Sequence, residues 1–209
     1  MNLANKLTIL RMLLVIVMVI IPIIGIEGEF VGISISALIV DGIFLLAAFT
    51  DKLDGYIARS RNQITTFGKF LDPIADKILV LTAMLLLIEM DKIPSWIPAI
   101  ILTREFLISG YRLIAVEKNG KVIAANNWGK LKTVTQVIAI AFAFIDSNPF
   151  GEVVKGTLTG SDLIVNIITT VMMTICVLAT IFSGIEYLKN GKDLFKEKSN
   201  KIENATKKE

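Results

Sequence analysis

Long apolar runs broken by short polar turns constrain this chain more than any other feature of its sequence. Six occur, at about residues 7–25, 33–53, 71–90, 96–116, 133–145 and 163–188, the fifth being short unless it starts at Gly129. A hydrocarbon core of about 30 Å needs roughly twenty helical residues to cross. Lipid offers no partner to an unsatisfied backbone N–H or C=O, so such spans are helices packed as a bundle. The period-two alternation that marks strands is absent, which argues against a barrel. The expected fold is all-α: a polytopic membrane protein with six transmembrane helices. Composition agrees. The chain is 54% hydrophobic, with a mean hydropathy of +0.67, against about 45–50% apolar in a soluble domain. The opening run is read as a retained first span rather than a signal peptide, because it is long and no small-residue cleavage site follows.

Charge placement orients the bundle. Lys6, Arg11, Lys52, Arg59, Arg61, Lys69, Arg112, Lys118, Lys121, Lys130, Lys132 and seven tail lysines fall on one side, eighteen in all. Only Lys92 and Lys155 fall on the other. Basic residues collect on the cytoplasmic side, so both termini are expected there. A six-helix transmembrane domain then covers residues 1–188, and residues 189–209 form a charged, frayed cytoplasmic tail. The net charge of +3 says little by itself, and nucleic acid is not an expected partner.

Between Asp51 and Asp76 the sequence puts four aspartates at the edge of this apolar bundle, on the side assigned to the cytoplasm. Asp51 and Asp54 stand three apart and Asp72 and Asp76 four apart, so each pair shares one helix face. Clustered carboxylates at a membrane boundary repel one another unless something positive holds them. The chain has no histidine and one cysteine, Cys176. That excludes histidine bases, zinc motifs built on histidine and thiolate clusters. Oxygen-only ligands favour hard ions, so two divalent cations, Mg²⁺ or Mn²⁺, are expected, with Ca²⁺ as a competitor. Such ions usually act on phosphates. Gly55, Ala58 and Gly68 leave the backbone open to a bulky ligand, and Arg59 is suited to a phosphate or a base. Asp76 is the acid placed to accept a proton from an attacking hydroxyl. The plain alternative is helix capping with ion pairing to Lys52, Arg59 and Lys77, Asp72 serving as N-cap ahead of Pro73. Asp41, well inside the second span, is not expected to be catalytic.

The pattern Asp-x2-Asp-Gly-x2-Ala-Arg, eight residues, then Gly-x3-Asp-x3-Asp resembles the signature of the CDP-alcohol phosphatidyltransferases. It reads here as Asp51, Asp54, Gly55, Ala58, Arg59, Gly68, Asp72 and Asp76, with no position missing. The resemblance extends to the six-span layout. It implies transfer of a phosphatidyl group from CDP-diacylglycerol to an alcohol, with release of CMP. It implies that Asp51, Asp54, Asp72 and Asp76 bind two metal ions, with Asp76 doubling as general base. Asp54, Gly55, Ala58, Arg59 and Gly68 would line the CDP site, with the lipid tails leaving sideways between helices. A homodimer in the cell membrane, its active site at the cytoplasmic face, follows from the same resemblance together with the charge placement.

Acceptor choice lies outside the shared signature. Arg104 and Arg112 of span four, and Lys130, Lys132 and Thr133 at the start of span five, would suit an acceptor bearing its own phosphate. Arg104 is costly inside a span, and Glu105 is a natural partner for it. The others stand where basic residues are expected anyway, and Thr133 and Gln136 are as well suited to interhelical hydrogen bonds. Asn5, Thr8 and Arg11 suit either interfacial anchoring or a place over the site. The segments TREFLISGYR and GKLKTVTQ resemble the phosphatidylglycerophosphate synthase branch, whose acceptor is glycerol 3-phosphate. ANKLTILR resembles the same branch, except that Ala4 stands where a proline is usual. Inositol phosphate and phosphatidylglycerol are the other acceptors to weigh. An ion-coupled transporter would place its acids at the midplane within inverted repeats. A non-catalytic scaffold that retains the fold would be eliminated by metal-dependent CMP release that is lost on Asp72→Asn or Asp76→Asn.

Overall fold

Each apolar run forms a helix. The computed structural model describes the backbone of residues 3–60, 66–117 and 127–206, and the side chains of residues 5–50, 71, 73–111 and 128–189. Six α-helices follow in order: α1 (Leu3–Ile24), α2 (Ile35–Ser60), α3 (Thr66–Glu89), α4 (Trp96–Glu117), α5 (Asn127–Ile145) and α6 (Gly160–Thr206). Helix α1 packs on α2 and α3, α2 also on α5, and α6 runs against both α5 and α4.

Three of these helices are long and apolar enough to cross a membrane among the described residues: α1 over Asn5–Ile24, α5 over Trp128–Ile145 and α6 over Gly160–Lys189. The other three carry ionisable residues within the helix, among them Asp51, Asp54, Asp72, Asp76, Arg104 and Glu105.

The bundle is sorted for lipid rather than water. On α6, Asn166, Thr169, Met173, Cys176, Thr180, Ser183 and Tyr187 are all buried. They recur every three or four residues, the spacing of a seam packed against neighbouring helices. The opposite face shows Ile164, Ile167, Val171, Leu178, Phe182 and Ile185 to the outside. Small polar residues inside and large apolar residues outside are what a bilayer selects. Helix α1 repeats the theme, its buried stripe running from Val15 and Met18 into Arg11, Thr8 and Asn5. Phe44, Leu79, Leu87, Ile101, Ile140 and Phe144 fill the centre.

Helix ends depart from the hydropathy boundaries. Helix α2 runs to Ser60 and α3 starts at Thr66, so most of the expected polar connection is helical. Pro73 therefore lies inside α3 rather than at its first position, and Asp72 is not its N-cap. Lacking an N–H, Pro73 leaves the carbonyl four residues earlier, at Lys69, without its helical partner. Helix α5 begins at Asn127, which makes the fifth span longer than its apolar core. The tail expected to fray continues α6 to Thr206. Its lysines and glutamates favour helix, and Glu197 precedes Lys201 by four, the stabilising order.

A short hairpin also forms where no strand is expected. Glu29–Phe30 pairs antiparallel with Ile33–Ser34. Val31 and Gly32 turn it with φ of 54° and 75°, as a two-residue hairpin turn requires. Two-residue strands are too short to leave a periodic signal. Helix α3 closes on a Schellman motif, Lys92 N–H donating to Leu87 at 2.8 Å and Asp91 N–H to Ile88 at 2.9 Å. Asp91 takes the left-handed place, φ 55°, where glycine is the usual occupant.

That end of the bundle is locked by a polar network. Buried Asp146 accepts from Asn166 Nδ2 at 2.9 Å through Oδ2 and from the Asn148 N–H at 2.9 Å through Oδ1. Lys92 Nζ donates to the Asp146 carbonyl. Burial pulls the Lys92 ammonium below its usual range, and Asp146 opposes the shift. Phe150 N–H returns to the Lys92 carbonyl at 2.8 Å, so the α3–α4 and α5–α6 turns are tied together. Asp146→Ala is expected to cost about 2–4 kcal/mol, because Asn166 loses its buried acceptor. Unfolding in detergent measures this. A loss under about 0.5 kcal/mol, typical of surface changes, would show that the lock is idle.

Candidate active site

The acid stretch spans the end of α2 and the start of α3, helices in contact with one another. Both pairs lie on helical backbone, so the three- and four-residue spacings do place each pair on one face. Asp51, Asp54, Gly55, Ala58, Arg59, Gly68, Asp72 and Arg112 lie outside the residues whose side chains are described. Among the described residues no group of three metal-ligating side chains forms. Of the four acids only Asp76 has its side chain described.

Asp76 is exposed on α3 and opens onto a cavity of about 220 Å³ between α3, α4, α5 and α6. Lys77, Arg104, Glu105, Lys132, Thr133, Gln136 and Tyr187 line the same cavity. The structure thus brings Asp76 together with three residues singled out for an acceptor phosphate: Arg104, Lys132 and Thr133. Lys130 is exposed and is not among the lining residues. Positions 129, 132, 133 and 136 share one face of α5, and residue 130 is turned about 100° from 129.

Glu105 organises the cations. Its Oε1 accepts from Arg104 Nη1 at 2.9 Å and from Lys132 Nζ at 2.7 Å. Arg104 Nη2 donates to Ser183 Oγ, and the guanidinium lies 5.9 Å from the centre of the Tyr187 ring. Lys77 donates to Ser109 Oγ, which donates in turn to the Glu105 carbonyl at 2.8 Å. The two cations on Glu105 are held nearly dry, with the side chains of Arg104 and Lys132 only 14% and 6% exposed. Taking such charges out of water is costly, and one carboxylate oxygen shared between them offsets only part of that cost. Lys77, Arg104 and Lys132 against Asp76 and Glu105 leave the described lining one positive charge in excess. An anion would complete it.

Ser109, Ser183 and Tyr187 carry no signal in the sequence beyond polar character in an apolar run. The helical spacing of Ser183 and Tyr187 with Asn166, Thr169 and Thr180 is the pattern that marks them as inward. Asn5, Thr8 and Arg11 are buried on α1 and each is engaged. Helices α1 and α2 run antiparallel from the hairpin at about 1.5 Å per residue, so Thr8 and Asn5 stand near the depth of Asp51 and Asp54. Asp41 is buried, with Oδ1 making no hydrogen bond among the described residues, and it does not line the cavity. A wide apolar groove of about 1020 Å³ runs between α4 and α6 on the outer side, sharing Arg104 and Tyr187 with the cavity.

Residues 1–182 match the family model described as CDP-alcohol phosphatidyltransferase. The CDP-diacylglycerol–glycerol-3-phosphate 3-phosphatidyltransferase of Bacillus subtilis (strain 168) is 34% identical over 200 residues, covering 93% of this chain and 97% of that protein. The protein of the same name from Rickettsia typhi is 33% identical over 196 residues, covering 93% of this chain and 99% of its own. The one from Haemophilus influenzae is 36% identical over 167 residues, with 78% and 82% covered.

Proposed function

Since the chain belongs to the CDP-alcohol phosphatidyltransferase family, an enzyme family of phospholipid synthesis, we propose that it transfers the phosphatidyl group of CDP-diacylglycerol to glycerol 3-phosphate. The products are phosphatidylglycerophosphate and CMP. The names of the relatives support the acceptor. The observation that carries the reading is the cavity holding Asp76 at one side and the Arg104–Glu105–Lys132 cluster at another.

In this reading Arg104 and Lys132 hold the acceptor phosphate, Arg104 through its paired N–H groups. Thr133 adds a hydroxyl at the rim. The free primary hydroxyl of the acceptor then faces Asp76, which takes its proton as the oxygen attacks the phosphatidyl phosphorus. A new P–O bond forms as the P–O bond to CMP breaks, and CMP leaves with the electron pair. Asp51, Asp54, Asp72 and Asp76 would hold two divalent cations, Mg²⁺ or Mn²⁺, whose chemistry is to neutralise the diphosphate and the departing charge. Asp54, Gly55, Ala58, Arg59 and Gly68 would line the CDP site, and Arg112 would add positive charge for the acceptor phosphate.

All six helices cross the bilayer of the cell membrane in this reading, with both termini and the cavity mouth on the cytoplasmic side. Residues 1–188 form the catalytic domain and 189–209 a charged extension, and two copies associate as a homodimer. Purified protein supplied with CDP-diacylglycerol, glycerol 3-phosphate and Mg²⁺ is expected to release CMP. Inositol phosphate, serine and phosphatidylglycerol run in parallel. Product with inositol phosphate but not glycerol 3-phosphate would overturn the acceptor, and no CMP with any acceptor would sink the enzyme reading.

A further inference from the structure

Glycerol 3-phosphate presents three oxygen functions, and the proposed site employs two of them. The phosphate goes to the cations and the attacking hydroxyl to Asp76. The C2 hydroxyl is left over. Two buried donors of cavity-lining residues are also left over among the described residues, Arg104 Nε and Gln136 Nε2. Only the second is uncharged and stands apart from the phosphate cluster. Gln136 is 2% exposed and lines the cavity, yet its Nε2 has no hydrogen-bond partner among the described residues. Buried amide N–H groups are rarely left without an acceptor.

Two of the acceptors in this part of the bundle already hold donors. Glu105 Oε1 receives Arg104 and Lys132. Ser109 Oγ receives Lys77. We propose that Gln136 donates its free N–H to the C2 hydroxyl oxygen of the acceptor, and that this hydrogen bond lets the site select a glycerol phosphate over a simpler phosphate-bearing alcohol. The inference rests on glycerol 3-phosphate being the acceptor.

Position and chemistry both favour this role. Gln136 stands one turn beyond Lys132 on the same face of α5, about 6 Å along the axis. Both residues line the same cavity, so one acceptor molecule with its phosphate at Lys132 can also meet Gln136. An uncharged amide donor suits a neutral hydroxyl oxygen and does not compete with the neighbouring cations for the phosphate. A site built to bond a substrate hydroxyl discriminates strongly against the analogue lacking it, because the protein donor is then left unpaired.

The test compares glycerol 3-phosphate with 3-hydroxypropyl phosphate, which keeps the phosphate and the primary hydroxyl but has no C2 oxygen. The wild-type protein is expected to prefer glycerol 3-phosphate by about tenfold or more in kcat/KM. In Gln136→Met, similar in length but without a donor, that preference is expected to shrink to within about twofold. The change should come from poorer use of glycerol 3-phosphate, with KM for CDP-diacylglycerol measured alongside to separate misfolding from removal of one hydrogen bond. Equal use of both acceptors by the wild type would overturn the inference, whether or not the variant folds. So would full retention of the preference by Gln136→Met. No product at all from glycerol 3-phosphate with the wild type would instead remove the acceptor assignment, and this inference with it.

Discussion

Asp76→Asn is expected to lower kcat by about a thousandfold or more, the range set by losing a general base together with a charged metal ligand. Asparagine keeps the size and one oxygen of aspartate but has neither its charge nor its basicity. Because Asp76 is exposed to the cavity, the swap removes no core packing, and unfolding in detergent should shift by less than about 1 kcal/mol. Activity and stability are thereby separable in one variant. Asp76→Glu keeps the charge but moves it outward by a methylene, so a small remnant of activity is expected. Retention of a tenth of the wild-type rate by Asp76→Asn would remove Asp76 from both roles.

Arg104→Met is expected to raise KM for glycerol 3-phosphate by about a hundredfold, the scale of removing a bidentate charge-assisted hydrogen bond from a nearly dry site. The variant should fold, because Glu105 keeps Lys132 at 2.7 Å and is not left as an isolated charge. Arg104→Lys restores the charge but cannot reach Glu105, Ser183 and the phosphate at once, so it should recover only part of the loss. Measuring KM for both substrates decides the matter. A rise in KM for CDP-diacylglycerol with none for glycerol 3-phosphate would move Arg104 to the donor site.

How far the sequence could be read depended on which physical signal each feature leaves. The helices were legible because lipid demands long apolar runs, and all six apolar runs became helices. Their ends were not, because hydropathy marks where a helix meets lipid, and backbone hydrogen bonding does not stop there. Hence α2 and α3 run on through the acid stretch, and Pro73 lies inside a helix rather than at its start. Asp76 was legible from the aspartate pattern and Arg104 as a cation in a costly place. Lys132 and Thr133 stood out only as polar residues at a helix start, and the four line one cavity. Lys130 had the same composition signal but the wrong helical phase. Ser183 and Tyr187 were missed because a serine and a tyrosine in a greasy helix are cheap and common. Only their spacing with Asn166 and Thr180 shows that they point inward. Gln136 stands out by residue type, but its unsatisfied donor shows only once the helices are packed.

The lock around Asp146 carries a consequence for traffic. Along α5, the cavity residues Lys132 and Gln136 are followed by fully buried Ile140 and Phe144 and then by Asp146. Helix α3 repeats the order, from Asp76 through buried Leu87 to the Lys92 turn. Among the described residues an apolar plug therefore separates the cavity from the polar network at the Asp146 end. In the proposed reaction glycerol 3-phosphate would then enter and CMP leave on the same side of that plug. On that reading no ion would cross the bilayer in a catalytic cycle, and membrane voltage would have no lever on the reaction. A bundle with this many buried charges can sit in an energised membrane without becoming a leak.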